Sequence, residues 1–139
     1  MGYDIYGTWH AQNADGSFTE LDLGELDGDA LSDWGRNRCL FALLGLGAQT
    51  ERITPVQPTP VPAGLDFPIF HGAPKQGCVT LTDLLAYDYS APEWQRQGWF
   101  AFEGHRPIEI VTRRLREVIL PRVQTLAAGR EVFFTYTIG

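Results

Sequence analysis

The sequence predicts an α+β fold: a small, mostly antiparallel sheet that includes both terminal strands, with three or four helices packed on it and a long Pro-rich loop. Three observations lead there. Residues 2–10 alternate with period two and are rich in aromatic and β-branched side chains. Residues 131–138 (Glu131-Val132-Phe133-Phe134-Thr135-Tyr136-Thr137-Ile138) carry a strong strand signal. Between them lie apolar runs at helical spacing. An isolated strand leaves its backbone groups unpaired, and each terminal strand is the best available partner for the other. At 139 residues and 15.5 kDa the chain fits one domain, residues 1–139, long enough to bury a core without disulfide or metal staples.

In the opening strand Tyr3, Ile5 and Trp9 fall on one face, and Asp4, Tyr6, Thr8 and His10 on the other. Asn13-Ala14-Asp15-Gly16-Ser17 is a turn signal, after which Phe18-Thr19-Glu20-Leu21 returns as the second strand of a hairpin. Residues 36–46 read as a buried helix that stops at Gly45 or Gly47, with Cys39 as a small core residue. From Thr50 to Lys75 the chain holds six of its nine prolines, which predicts a long irregular excursion of the kind that usually carries function or moves. Residues 79–85 read as a helix start, with Thr80 as cap, Asp83 reaching back to it and Val79 packing on Leu84. Residues 87–102 hold six aromatic side chains, at least half of them expected inside. Residues 107–128 form the clearest helix; Pro121 should kink it or start a second one, and Gly129 should end it.

Four segments resemble a family of small phage- and prophage-encoded proteins. Met1-Gly2-Tyr3-Asp4-Ile5-Tyr6 is similar to the family's M-G-C-D-I-H opening. Gly35-Arg36-Asn37-Arg38-Cys39-Leu40-Phe41-Ala42-Leu43-Leu44 is similar to its G-R-N-Y-x-L-F-A-x-L segment, the most specific of the four. Val79-Thr80-Leu81-Thr82-Asp83-Leu84-Leu85 resembles the family's W-L-T-L-x-E-L-L, and Val132-Phe133-Phe134-Thr135-Tyr136 its V-F-W-F-like end. The resemblance runs the length of the chain and implies phage origin and the host-cell cytoplasm; no transferable activity comes with it. The family's Cys and His in the opening are Tyr3 and Tyr6 here, and its His pair before the capping segment is reduced to His71, which weakens any chemistry resting on those positions.

The net charge of −6 disfavours direct nucleic-acid binding, which needs clustered Lys and Arg. No run approaches the roughly 18 apolar residues of a membrane span, and the first residues lack a secretory signal, so a cytoplasmic location is expected. Two cysteines and three scattered histidines lack zinc-ligand spacing, and neither a metal nor a cofactor is expected. Phosphate-binding glycine loops, the serine-hydrolase elbow and the deaminase signature are all absent.

Two functional readings stand. The first is an accessory binding protein that inhibits a host defence system or another host machine, by binding either a host protein or a small anionic nucleotide signal. A protein partner would meet Asp22, Glu25, Asp27 and Asp29, within a 15–33 stretch free of Lys and Arg, together with Trp94 and Trp99. An anionic ligand would meet Arg36, Asn37 and Arg38 at a helix start, with Tyr6 and His71; the competing account is that Asn37 caps that helix and Arg36 pairs with Asp33. The alternative is a small hydrolase or transferase acting on a phosphate-containing substrate, with Asp4, His10 and His71 as an acid–base pocket; more commonly such residues sit hydrogen-bonded and inert on a sheet surface.

Overall fold

The computed structural model describes residues 5–24, 38–46, 54–67, 75–89 and 112–139. In chain order these give β1 (Ile5–Gln12), β2 (Phe18–Glu20), α1 (Arg38–Leu43), β3 (Lys75–Thr80), α2 (Leu81–Ala86), a π-helical turn (Leu115–Ile119), α3 (Leu120–Ala127) and β4 (Val132–Ile138). The four strands form one antiparallel sheet in the order β2-β1-β4-β3. Both terminal strands therefore lie side by side at its centre, and the fold is the small α+β type that the sequence predicts.

The register explains which side chains reach the core. Ile5 faces Ile138, Gly7 faces Tyr136, Trp9 faces Phe134 and Ala11 faces Val132 across β1 and β4. On the other flank Gly77 faces Tyr136 and Val79 faces Phe134. One row thus reads Gly7-Tyr136-Gly77, a large ring between two residues without side chains. The missing side chains make room: a β-carbon on Gly7 would run into the Phe134 ring, and one on Gly77 would fall 2.7 Å from Tyr136 Cζ. The rings then line up along β4, with Trp9 and Phe134 centroids 4.3 Å apart and Phe134 and Tyr136 5.8 Å apart and nearly parallel. Leu40, Leu43, Leu84, Leu115, Ile119, Leu120 and Val123 bury against this same face.

The strand Lys75–Thr80 is a correction to the sequence reading, which places no strand there. Val79 is the inward residue of that strand beside Phe134, and it shares the core with Leu84, the helix residue it is expected to pack on. The helix after it starts as expected, with Thr80 Oγ1 accepting the Asp83 N–H at 3.1 Å. Of the predicted helix 36–46, Arg38–Leu43 is described and Gly45 stops it at φ +91°. Of the predicted helix 107–128, the described part carries a device at Pro121. Proline supplies no N–H and crowds the carbonyl four residues back. The chain widens to a π turn just before it, where the Leu120 N–H reaches Leu115 O, and α3 proceeds with the proline in its first turn. The helix stop is already left-handed at Ala128 (φ +51°), one residue before Gly129 (φ +83°).

Two polar ties hold helix ends to the sheet. The buried Tyr136 hydroxyl donates to the Leu44 carbonyl at 3.0 Å, fixing the end of α1 over β4. Arg130 caps α3: its Nε donates to Ala127 O (2.8 Å), one terminal nitrogen to Leu126 O (3.1 Å) and the other to Asn13 Oδ1 (2.8 Å), joining helix to hairpin turn. Of the Pro-rich excursion, residues 54–67 are described and form neither helix nor strand.

Tyr136→Phe should lower stability by about 1–3 kcal/mol, because it leaves the Leu44 carbonyl buried without its donor. Gly77→Ala should cost a similar amount, roughly 1–3 kcal/mol, through overpacking against the Tyr136 ring. Urea denaturation of both variants checks this; a Gly77→Ala protein as stable as wild type would show that the ring can yield.

Candidate functional site

The face of the sheet opposite the core carries the polar side chains of the opening strand. Tyr6, Thr8 and His10 of β1 face Thr137, Thr135 and Phe133 of β4, which in turn face Gln76, Cys78 and Thr80 of β3. This layer is not a free surface at its centre, since Thr135, Thr137 and Cys78 are all buried. Hydrogen bonds satisfy much of it. His10 Nε2 lies 3.3 Å from Thr135 Oγ1, and the Gln76 amide donates to Thr137 Oγ1 at 3.5 Å. Phe18 and Phe133 meet edge to face at 5.9 Å at the hairpin end.

Burial governs the chemistry here. Desolvation holds the His10 imidazole below its ordinary 6.5, against the pull of the Glu20 carboxylate opposite it on β2. Burial pushes the Cys78 thiol up to about 11, which makes it a poor nucleophile at neutral pH. Asp4 and His71, the other members of the acid–base pocket, lie outside the described residues. Among the described residues no three His, Cys, Asp or Glu side chains group as metal ligands.

The anion-site residues fare similarly. Arg36 and Asn37 lie outside the described residues, as does the side chain of Arg38, the first residue of α1. Tyr6 is half-buried beside Thr137. Of the proposed partner-binding residues, Asp22 is exposed and its Oδ1 accepts the Gly24 N–H at 2.7 Å, turning the chain as it leaves the hairpin. Glu25, Asp27, Asp29, Trp94 and Trp99 lie outside the described residues. Asp15 and Glu20 are exposed on the same hairpin, and Asp15 Oδ1 accepts both the N–H and the hydroxyl of Ser17. Those hydrogen bonds hold the Asp15 carboxyl below its ordinary range.

A cavity of about 430 Å³ opens where α2 ends against the π turn, and sequence reasoning missed it. Leu84, Leu85 and Leu120 give it apolar walls, and Leu85 is 43% exposed. Tyr87 and Tyr89 add rings 5.0 Å apart, with the Arg116 guanidinium 5.1 Å above Tyr89. Both phenol oxygens are committed as donors, Tyr87 to Thr54 O (2.6 Å) and Tyr89 to Leu84 O (2.8 Å). Burial pushes the Tyr89 phenol far up, despite the Arg116 cation beside it. The cavity therefore offers ring faces, apolar surface and the mixed charges of Asp88, Arg116 and Glu117. Its sequence signals are the aromatic run 87–102, which supplies Tyr87 and Tyr89, and Pro121, whose upstream π turn carries Arg116 and Glu117.

Comparison with protein-family models, with curated proteins and with solved structures returned no match. Among the described residues no helix is long and apolar enough to cross a membrane.

The His10 environment has a measurable consequence. In an NMR titration its ring should titrate with a midpoint below 6.5, and Glu20→Gln should move that midpoint lower still, since the Glu20 charge favours the imidazolium. The unfolded chain takes up the proton first, so this contribution to stability is intact above about 6.5 and is lost as pH falls from there through the lower folded midpoint. A midpoint above 6.5 would contradict the desolvated placement.

Proposed function

We propose that this chain is a phage-encoded accessory protein that works by binding rather than by catalysis, in the host-cell cytoplasm, inhibiting a host defence system or another host machine. The observation that carries the reading is the acidic hairpin. Asp15, Glu20 and Asp22 are exposed on it, and no Lys or Arg occurs from residue 15 to residue 33. A stretch of chain that carries acids and no Lys or Arg steers a basic partner into contact and orients it. A basic patch on a host protein is thus the favoured target, and Glu25, Asp27 and Asp29 would extend the contact along the same stretch. The phage origin rests on the family resemblance of the sequence. A small anionic nucleotide held by Arg36 and Arg38 is the second form of the same binding reading.

The chemistry of the described side chains also supports binding. His10 is engaged with Thr135, and the buried thiol is held protonated. The hydrolase reading, with Asp4, His10 and His71 around a phosphate, would be favoured instead if phosphate-ester turnover appeared and vanished in His10→Ala.

The test is retention of host-lysate proteins by the immobilised chain, with mass spectrometry of small molecules carried by the purified protein. A specific partner should bind wild type, weaken as salt screens the contact, and be lost on combining Asp15→Lys, Glu20→Lys and Asp22→Lys. Equal retention by the charge-reversed protein would remove the hairpin from the contact. Recovery of neither partner nor ligand would sink the binding reading altogether.

A further inference from the structure

Residues 54–62 read Thr-Pro-Val-Gln-Pro-Thr-Pro-Val-Pro, and every one of them except Val56 is a proline or precedes one. Proline fixes its own φ near −65°, and the residue before it is driven to extended ψ. Both restrictions select the same conformation, the polyproline II helix, which has three residues per turn and no internal hydrogen bonds. Burial along the segment has that period. Val56 is buried, and Thr59 and Pro62 are half-buried, forming one inward row, with Pro55 and Val61 half-buried beside it. Thr54, Gln57 and Pro60 are all exposed, forming an outward row, and Pro58 on the neighbouring row is exposed as well.

Three hydrogen bonds fix this ribbon to the domain, each to a different element. Thr54 O accepts from the Tyr87 hydroxyl (2.6 Å), the Val56 N–H donates to Leu43 O at the end of α1 (2.9 Å), and the Thr59 N–H donates to Cys78 O on the outer edge of β3 (2.8 Å). A turn ends it, with the Leu65 N–H on Pro62 O and Gly64 at φ +93°. The inward row is spent on anchoring. The exposed side presents Gln57, Pro58 and Pro60, with Thr59 between the two prolines turned inward to its anchor on Cys78.

We propose that residues 54–62 are a pre-ordered polyproline II ridge that docks into an aromatic-lined groove of a protein partner through Pro58 and Pro60. Grooves of that kind take X-Pro units between parallel aromatic rings, and a ligand ordered in advance loses little entropy on binding. The ridge is chemically distinct from the acidic hairpin: it is uncharged, and it recognises ring faces rather than basic groups.

The test uses the full-length, isotope-labelled chain and a panel of isolated proline-recognition domains of the SH3, WW and EVH1 types as probes. At least one groove type should shift the amides of Gln57, Thr59 and Val61, and the combined Pro58→Ala and Pro60→Ala variant should weaken that binding by about tenfold or more. Since both prolines are exposed, the variant should keep its amide spectrum elsewhere and melt within a few degrees of wild type. Gln57→Glu, which leaves the prolines in place, supplies a second variant, expected to keep binding within a few-fold. The proposal is overturned if no groove type perturbs those amides. It is equally overturned if the double variant binds as wild type does. Self-association of the double variant without any groove binding would assign the prolines to guarding the β3 edge alone.

Discussion

The close fit between β4 rings and flanking glycines sets the rest of the structure. Side chains alternate across a strand, so sliding β4 by one residue would exchange Phe134 and Tyr136 for Phe133 and Thr135 on the core face. Only the observed register sets Tyr136 between Gly7 and Gly77, with Phe134 between Trp9 and Val79. The glycines are ordinarily a liability in strands, because they bring no side chain to pack. Here the neighbouring rings fill their space, and the two empty positions become the feature that locks three strands together.

The same strand organises the helices. Tyr136 reaches from the ring row to the end of α1, and Arg130, two residues before β4, closes α3 against the hairpin turn. The pairs that make the sheet centre lie far apart in sequence; the His10–Thr135 contact spans 125 residues. The entropy of closing such long loops opposes these pairings, so a sheet centre built on them forms more slowly than one built on local contacts.

This logic explains what was legible in the sequence. The alternation in β1, the turn at Asn13–Ser17 and the aromatic run of β4 are local signals, and the structure carries all three. Thr80 as a cap and Gly45 as a stop were legible for the same reason: each does its work within a few residues of itself. Lys75-Gln76-Gly77-Cys78-Val79-Thr80 was not, because its strand character is conferred by a partner. A lysine, a glutamine and a glycine argue against a strand until Tyr136 is known to lie over Gly77. The π turn was half legible. Pro121 announced an irregularity, but its form depended on Leu115 being buried on one side while Arg116 turned towards Tyr89. Of the candidate sites, the acidic hairpin could be read from composition alone. The cavity beside Tyr89 required two segments of the chain to meet.

The sheet has two edges, and the chain treats them differently. On one side β2 is only three residues long, and the hairpin that carries it is strewn with exposed carboxylates. On the other, β3 receives the Pro-rich ribbon through a single bond from Thr59 to Cys78 O. Short strands, charge and proline are each devices that keep sheet edges from pairing with one another. Edges guarded in this way have no need of recognisable guards, and mixed charge or scattered prolines would serve. The stretch from residue 15 to residue 33 instead carries acids and no Lys or Arg, and Pro58 and Pro60 stay exposed on a ribbon anchored through Val56 and Thr59. A chain whose described histidine is desolvated and whose described thiol is buried has little reactive chemistry to offer at those groups. On the proposed binding reading, specificity would reside in shape and charge, and the two sheet edges carry the exposed carboxylates and the Pro-rich ribbon.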